Sequence, residues 1–331
     1  MNRTPHIAVI GAGIAGSACA STLQGAGFQV SLFDKSRGPG GRMSTRRGDG
    51  WQCDHGAQYF TARAPAFRAE VARWEVAGVA AKWQAQVRSF GGDSAAGSVD
   101  ADSATERFVG APRMSSVAAW LASSLALSTK VTISGLQREA VGWSLLVQDG
   151  HALGEAYDIV VLAVPAPQAA PLLRKVAPQQ AALAEQVRMA GCWSLMLDYD
   201  APLVLDFEAA FVNQGPLRWV ARDSSKPGRA GRESWLLHAS AAWSEQHIER
   251  DGDEVAALLL AAFAELGGPA PQRWSAHRWR YASTPQVRSE GCLWEPAQGL
   301  GVCGDWLNGG TVETAWLSGQ ALAQRIIAAQ A

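Results

Sequence analysis

Three glycines near the start of the chain have the spacing of a phosphate-binding turn. Gly11, Gly13 and Gly16 follow the apolar run "HIAVI" and open a small-residue segment that is typical of a helix, roughly Ile14 to Gly25. In such a turn the first glycine makes the tight bend, the second lets a pyrophosphate approach, and the third packs helix on strand. The helix N-terminus offers unpaired N–H groups and positive potential to phosphates.

An acidic residue at the end of the next strand completes this motif. The strand "FQVSLFD" ends on Asp34, which we expect to bind both ribose hydroxyls of an adenosine and to repel a 2′-phosphate. A ligand-free glycine turn would not need that acid. The N-terminal segment "MNRTPHIAVIGAGIAGSACAS" could pass for a secretory signal, but cleavage near Ala20 would remove the glycine motif, so the sequence favours a cytoplasmic protein.

Composition limits the classes of protein that the chain can belong to. The 331 residues are 48% hydrophobic and 18% charged, which predicts a folded chain of one large two-part domain or two ordinary ones. A net charge of -1 gives no field that would recruit nucleic acid or a membrane surface. Five cysteines without a CxxC pair predict free thiols, with neither a metal site nor a disulfide framework.

Two further glycine segments need an explanation. Directly after Asp34 comes "KSRGPGGRMSTRR", where a plain NAD-binding domain would continue into a helix. A solvated basic loop would explain Arg46 and Arg47, but not the adjacent pair Gly40 and Gly41. Near the other end, "GLGVCGDWLNGGTVETAW" reads as a strand, an acid, a glycine turn and a helix that starts near Thr311 and Val312.

These segments resemble the flavin amine oxidase and desaturase superfamily, and the resemblance implies bound FAD. It places Arg42 against the diphosphate, Asp305 on the ribityl hydroxyls, and the main chain of Val131 on the adenine. The segment "CDHGAQYFTAR" would return to the flavin ring. We expect noncovalent FAD at these positions: Gly11, Ala12, Gly13, Ile14, Ala15, Gly16, Asp34, Lys35, Gly41, Arg42, Met43, Gln58, Tyr59, Phe60, Val131, Gly304, Asp305, Thr311 and Val312.

The implied fold is an α/β, two-domain flavoprotein of the amine oxidase/p-hydroxybenzoate hydroxylase type. A discontinuous Rossmann-like FAD-binding domain would take residues 1–61, 111–167 and 285–331. A substrate domain of mixed β-sheet with helices would take 62–110 and 168–284. Within the FAD-binding domain, "KVTI" at 130–133 is predicted as a strand. Within the substrate domain, the polar stretch at 91–105 is predicted as a mobile hairpin loop or a lid.

Several phrases narrow the resemblance to the bacterial renalase family, among them "GGRMSTRR", "WLLHASAAWS" and "AHRWRYA". That family oxidises 2- and 6-dihydro isomers of NAD(P)H to NAD(P)+, and dioxygen then reoxidises the flavin to give hydrogen peroxide. The small-molecule partners would therefore be a dihydronicotinamide dinucleotide and dioxygen.

The residues of the substrate domain leave alternatives open. Amine oxidases of the superfamily carry a lysine near the flavin, but the comparable strand "AGCWSLMLDYD" has none, and Lys226 lies in the loop "DSSKPGR". Hydride donation needs no general base. Trp279 is the predicted wall for a nicotinamide, and His238 is either the partner of its carboxamide or a core histidine. His55 would be a structural or flanking residue.

The two arginines beside Trp279, Arg278 and Arg280, could bind substrate phosphates or coat the surface. An amine or polyamine oxidase remains as one alternative function. The other is a flavin-binding scaffold without redox turnover.

Overall fold

The computed structural model describes residues 4–91, 105–154, 156–286 and 288–330. Helices among them are α1 (Ile14–Gly25), α2 (Pro65–Val76), α3 (Ser116–Leu121), α4 (Ala166–Leu173), α5 (Pro178–Glu185), α6 (Ala241–Gln246), α7 (Gly252–Glu265) and α8 (Val312–Gln330). Strands are β1 (His6–Ile10), β2 (Gln29–Asp34), β3 (Thr45–Gly48), β4 (Trp51–Asp54), β5 (Ala80–Lys82), β6 (Val87–Phe90), β7 (Phe108–Gly110), β8 (Ala126–Thr129), β9 (Ile133–Glu139), β10 (Gly142–Val147), β11 (Ile159–Leu162), β12 (Ala190–Tyr199), β13 (Ala209–Val212), β14 (Leu217–Arg222), β15 (Glu233–Ala239), β16 (Arg273–Ser283), β17 (Leu293–Glu295) and β18 (Leu300–Val302).

The first of two compact units contains Met1–Gly41, Val117–Met189 and Thr284–Ala331. Its sheet has the order β17-β18-β11-β1-β2-β8, in which every neighbouring pair is parallel except β17 with β18. All residues of β1 and β11 are buried, as expected for parallel strands that are covered on both faces. Helices α1 and α8 touch closely, because a Cβ on Gly319 would lie 2.2 Å from the carbonyl oxygen of Ala15.

The second unit contains Arg42–Ser116 and Ala190–Ser283. Its main sheet has the order β16-β12-β15-β14-β13-β6. Alternate residues of these strands, including Leu195, Leu197 and Leu237, pack with α7 in the core of the unit. The residues between them, Ser194 and His238 among others, point to the opposite face of the sheet. That face carries the candidate substrate site.

Most predicted elements around the glycine motifs are confirmed, and one strand prediction is wrong. Helix α1 has the predicted bounds, and β2 ends on Asp34. The strand before Val131 is β8, however, and the chain turns at Lys130, whose φ is 60°. The amides of Lys130 and Val131 donate to the carbonyls of Ser36 and Asp34, so residues 130–132 are tied to the end of β2, and the next strand, β9, begins only at Ile133.

The division into compact units differs from the predicted domain boundaries, which follow cofactor contacts instead. Residues 42–61 belong to the second unit, where Cys53 of β4 packs with Met196 and Leu236. Residues 168–189 belong to the first unit with α4 and α5. The predicted loop or lid at 91–105 lies almost wholly outside the described residues. No helix in the described ranges is long and apolar enough to cross a membrane.

Candidate cofactor and substrate sites

The glycine turn after β1 has the geometry that its motif predicts. Gly11 has a φ of 107°, and a Cβ there would lie 2.5 Å from the carbonyl oxygen of Ala163. A Cβ on Gly16 would lie 1.9 Å from the carbonyl oxygen of Gly11. A Cβ on Gly13 would meet nothing within 4 Å. Gly11 and Gly16 are therefore required by packing, whereas Gly13 faces open space of the kind that a bound pyrophosphate needs.

Asp34 is held beside this turn by backbone amides. Its Oδ2 accepts from the amide of Ala12 at 2.7 Å, and its Oδ1 accepts from the amide of Ser36 at 2.7 Å. Each carboxylate oxygen has a second lone pair for a hydroxyl donor. The N-cap of α1 is Gly13, which supplies no side-chain cap to the first amides of the helix. The arrangement fits an adenosine diphosphate group, with phosphates at α1 and ribose at Asp34.

The second glycine segment lies against the first. The amide of Gly40 donates to the carbonyl of Ala12 at 2.8 Å, and a Cβ on Gly41 would lie 3.3 Å from the Cα of Gly13. Because Gly41 has a φ of 53°, a residue with a side chain would be strained there as well as crowded. Lys35 is exposed nearby. The amide of Val131 is already bound to Asp34, which leaves its carbonyl for the predicted adenine contact.

The acid and the helix start predicted near the end of the chain are both well defined. Asp305 is buried, and the amide of the preceding Gly304 donates to Ser318 Oγ at 2.9 Å. Thr311 and Thr314 cap α8 reciprocally, since each amide donates to the hydroxyl of the other. Helix α8 then begins at Val312, as predicted. The contact of Asp305 with the ribityl hydroxyls of FAD stays a prediction.

The predicted FAD contacts between residues 42 and 60 belong to the second unit. The carbonyl of Arg42 accepts from the amide of Ala57 at 2.8 Å, while its guanidinium donates to the carbonyl of Ala282 at 3.3 Å. Met43 is buried. The ring of Tyr59 lies 5.4 Å from that of Trp219.

Phe60 has a packing role. It is only 4% exposed, and its ring lies about 6 Å from those of Phe67, Trp74 and Phe108. The prediction that Phe60 edges the flavin is therefore corrected, because a side chain enclosed by three aromatic rings of its own unit has no surface to offer a ligand. Gln58 and Tyr59 remain as the candidates from this segment.

Gln58 is fixed by a buried group of charges that we call the ion cluster: Asp54, Asp223, Lys226 and Arg229. The Nζ of Lys226 donates to Asp223 at 2.6 Å, to Asp54 at 3.2 Å and to the Oε1 of Gln58 at 3.2 Å. Arg229 also pairs with Asp54. All four side chains are at most 1% exposed. The lysine that the sequence places in a loop is thus a fully enclosed cation.

The two carboxylates of the ion cluster respond oppositely to their surroundings. Burial raises the pKa of Asp54, but Lys226 and Arg229 outweigh burial and hold that pKa at about 2. Burial, followed by repulsion from Asp54, raises the pKa of Asp223 to about 6. With two acids and two bases, the cluster is neutral when all four groups are ionised.

A row of polar side chains crosses the sheet face opposite α7. Ser194 of β12 is directly opposite His238 of β15 on one side and His277 of β16 on the other. Trp279 lies two residues beyond His277 and so shares its face. The rings of Trp279 and His277 are 4.4 Å apart. The structure therefore brings His238 and Trp279 onto one surface, as the sequence predicts, and adds His277.

The carbonyl of His55 joins this row into one network. It accepts from Trp279 Nε1 at 2.7 Å, from Ser194 Oγ at 2.8 Å and from His238 Nε2 at 3.2 Å. The ring of His55 stacks on that of Trp279, with 5.1 Å between centroids. The structural role predicted for His55 is consistent with these contacts.

The three histidines of this network are uncharged at neutral pH. Burial lowers the pKa of His55 to about 3, with further lowering by His277 and Arg46. Burial lowers the pKa of His238 to about 4, and burial together with Arg46 lowers that of His277 to about 4. The surface therefore offers hydrogen-bond donors, acceptors and aromatic rings without a formal charge from its histidines.

Arg278 and Arg280 do not share this surface. They alternate with His277 and Trp279 along β16 and so point to the other face of the sheet. Arg278 donates to the carbonyl of Ile248 and to Glu249, and Arg280 forms a bidentate pair with Glu249. The surface interpretation of both arginines is therefore the correct one.

Sequence reasoning missed His277 and its neighbour Arg46, as well as the ion cluster. One signal for His277 was present, since it stands two residues before Trp279 in the strand "AHRWRYA". Nothing local links Lys226 to Asp54, because the two are 172 residues apart.

Parts of this chain are similar to a domain family and to short segments of known enzymes. The NAD(P)-binding Rossmann-like domain family matches residues 9–74. A zeta-carotene-forming phytoene desaturase of Myxococcus xanthus is 46% identical over 51 residues, which are 15% of this chain and 10% of the desaturase. An L-amino-acid oxidase of Siganus canaliculatus is 39% identical over 59 residues, which are 17% of this chain and 11% of that oxidase. The chain thus matches only about a tenth of the length of these relatives.

Two solved structures share the fold over nearly the whole chain. A protein described as a protoporphyrinogen oxidase from Exiguobacterium sp. 255-15 superposes with a TM-score of 0.79 at 13% identity, covering 99% of this chain and 100% of that protein. Cyclohexylamine oxidase from Brevibacterium oxydans IH-35A superposes with a TM-score of 0.75 at 13% identity, covering 98% and 99%. Identities this low establish the two-domain α/β fold alone.

The family of the chain follows from the longest match. The flavin containing amine oxidoreductase family matches residues 76–327, which are most of the chain. Together with the Rossmann-like match, this implies FAD as the cofactor, in agreement with the open space at Gly13 and the carboxylate of Asp34. The protein therefore belongs to the flavin containing amine oxidoreductase family.

Proposed function

We propose that this protein oxidises 2- and 6-dihydro isomers of NAD(P)H to NAD(P)+, the activity that its resemblance to the bacterial renalases implies. FAD, when bound, accepts the hydride and passes the electrons to dioxygen, which gives hydrogen peroxide. The observation that supports this proposal is the uncharged histidine and tryptophan surface around His238, His277 and Trp279.

A dihydronicotinamide needs orientation more than it needs an acid or a base. Hydride leaves its carbon without a proton transfer, so the protein has to hold a flat, neutral ring. Trp279 offers an aromatic wall, and the histidines offer hydrogen bonds. None of the six strands of this sheet contains a lysine. Lys226 is engaged by two carboxylates and an amide, which suits a positioning role rather than proton transfer.

Amine oxidation is the second candidate function. The family match and the fold shared with cyclohexylamine oxidase favour it as much as they favour the first. It differs in its needs, because an amine reaches the enzyme mostly as a cation and must lose a proton before or during oxidation. The described histidine surface has no carboxylate that would receive such a cation.

Anaerobic stopped-flow mixing of the purified flavoprotein distinguishes these functions. The flavin should be reduced quickly by 2- and 6-dihydro-NAD, slowly by ordinary 1,4-NADH, and not by a panel of primary amines and polyamines. Because misplacement of a reacting atom by about 1 Å costs on the order of a hundredfold in rate, the 1,4 isomer is a stringent comparison. Fast reduction by amines alone would establish the second candidate instead, and reduction by neither class would indicate a scaffold.

A matched pair of variants on β16 tests the predicted wall. Trp279→Ala should slow reduction by the dihydro isomers while FAD content stays the same. Trp274→Ala removes a tryptophan from the same strand, but one that is 39% exposed and on the opposite face, so it should leave the rate unchanged. Equal effects of both substitutions would contradict a role for Trp279 at the substrate.

A further inference from the structure

The position of one proton on His277 follows from its neighbour. Arg46 Nη2 lies 3.3 Å from His277 Nδ1, and Arg46 Nη1 donates to Ser275 Oγ at 3.2 Å. A guanidinium only donates, so Nδ1 of His277 must accept. In the neutral ring the proton is then on Nε2, which has no partner among the described residues. His277 therefore presents a hydrogen-bond donor.

His238 has the opposite character. Its Nε2 lies 3.2 Å from the carbonyl oxygen of His55, and a carbonyl only accepts. Nε2 of His238 must therefore carry the proton, and Nδ1 is left as an acceptor without a partner among the described residues. The other two donors to the His55 carbonyl, Ser194 and Trp279, hold that oxygen in place.

The donor and the acceptor flank the same residue. His238 and His277 are both directly opposite Ser194, on the two strands that neighbour β12. Neighbouring strands are about 4.8 Å apart, so the two backbones are about 10 Å apart with both side chains on one face. Both histidines are half-buried residues. His55 lies beside both, because its carbonyl is bound to His238 and its ring is 4.8 Å from that of His277. The remaining donor, Nε2 of His277, and the remaining acceptor, Nδ1 of His238, together complement a small planar group that has one acceptor and one donor.

We propose that His277 and His238 recognise the primary carboxamide of the substrate, with Nε2–H of His277 donating to the carboxamide oxygen and Nδ1 of His238 accepting from its N–H. Arg46 is the positioning residue that selects the tautomer of His277. The inference rests on the proposed function, because it names the group by which a dihydronicotinamide is held. An ammonium group has donors only, and so would leave the N–H of His277 unmatched.

Paired substrates test the two contacts separately. The acetyl analogue of 2-dihydro-NAD keeps the carbonyl oxygen but lacks the amide N–H. In the wild-type flavoprotein it should bind about 5- to 10-fold more weakly than the carboxamide, measured from the concentration dependence of flavin reduction, since one hydrogen bond is lost. His238→Phe should abolish that preference. His277→Phe should weaken the binding of both substrates by about 5- to 10-fold and keep the preference for the carboxamide.

A control variant and the contradicting result complete this experiment. His247→Phe replaces another half-buried histidine, whose ring stacks on that of Trp243 with 4.0 Å between centroids. This variant should bind both substrates as the wild type does. If the isomers reduce the flavin but His238→Phe keeps the preference for the carboxamide, the inference fails and the proposed function stands. If the isomers do not reduce the wild-type flavin at all, the proposed function itself fails.

The tautomers can be observed without any turnover. The chain has six histidines, so imidazole ¹⁵N chemical shifts can be assigned by single substitutions. His277 and His238 should both carry their proton on Nε2. Arg46→Leu should mix the tautomers of His277 and weaken both substrates, whereas Arg46→Lys should restore one tautomer and most of the binding. A proton on Nδ1 of His277 in the wild-type protein would overturn the inference.

Discussion

Replacing Lys226 by methionine should destabilise the second unit strongly. Its Nζ donates to Asp54, Asp223 and Gln58, and all the charged partners are at most 1% exposed. Methionine has a similar length, so packing is largely kept. The change leaves two buried carboxylates with one base, Arg229. Removal of one partner from a buried ion pair costs about 3–5 kcal/mol, because the remaining charge is left uncompensated.

The assay is thermal and urea unfolding, with far-UV circular dichroism and tryptophan fluorescence as readouts. The midpoint temperature should fall by on the order of 10 °C for a loss of this size. Lys82→Met is the matched control, because Lys82 pairs with Glu106 at 2.5 Å but is 51% exposed. An exposed pair contributes less than about 1 kcal/mol. The flavin of the surviving folded protein should also be reduced more slowly, because Gln58 loses a hydrogen bond.

A second substitution separates charge balance from packing. The variant Asp223→Asn/Lys226→Met has one acid and one base in the cluster, Asp54 and Arg229, which already pair with each other. It should recover at least half of the lost stability. If Lys226→Met proves as stable as Lys82→Met, or if the double variant is less stable than the single one, the account of the ion cluster is refuted.

Four further predictions concern the cofactor and the histidine network. Gly13→Ala should lower FAD affinity without lowering the thermal stability of the apoprotein, whereas Gly16→Ala should lower that stability, because only Gly16 lacks room for a Cβ; equal behaviour of the two would contradict the phosphate assignment. Asp34→Ala should weaken FAD binding by about 1.5–3 kcal/mol in a titration of the apoprotein, and unchanged affinity would exclude the ribose contact. Acid precipitation should release all of the flavin, and colour retained on the pellet would show a covalent link. His55 has a pKa of about 3 when folded and about 6.5 when unfolded, so its contribution to stability is complete above pH 6.5 and is lost as the pH falls towards 3. Between pH 7 and pH 4 the free energy of unfolding of His55→Phe should therefore fall by up to about 3 kcal/mol less than that of the wild type. Parallel curves of unfolding free energy against pH for the two proteins would contradict the lowered pKa.

The sequence alone was sufficient for the features that depend on local backbone geometry. The bounds of α1, the end of β2 at Asp34 and the start of α8 follow from glycine spacing, continuous apolar runs and a capping threonine. Each of these signals acts within a few residues along the chain. For the same reason the glycine motif and Asp34 indicated a dinucleotide, whereas FAD followed from the resemblance of the other segments to the flavin superfamily. Where the local signal was weak, as in "KVTI", the predicted strand was wrong.

The candidate substrate surface was decided by tertiary structure. His238 and His277 are 39 positions apart in the sequence, and they share one face of the sheet only because β15 and β16 pair on either side of β12 in one register. A shift of one residue would turn either histidine to the other face. Lys226 is likewise an ordinary loop lysine until the fold encloses it with Asp54. Register and burial depend on contacts across the whole unit, and so they cannot be derived from the neighbours of a residue in the sequence.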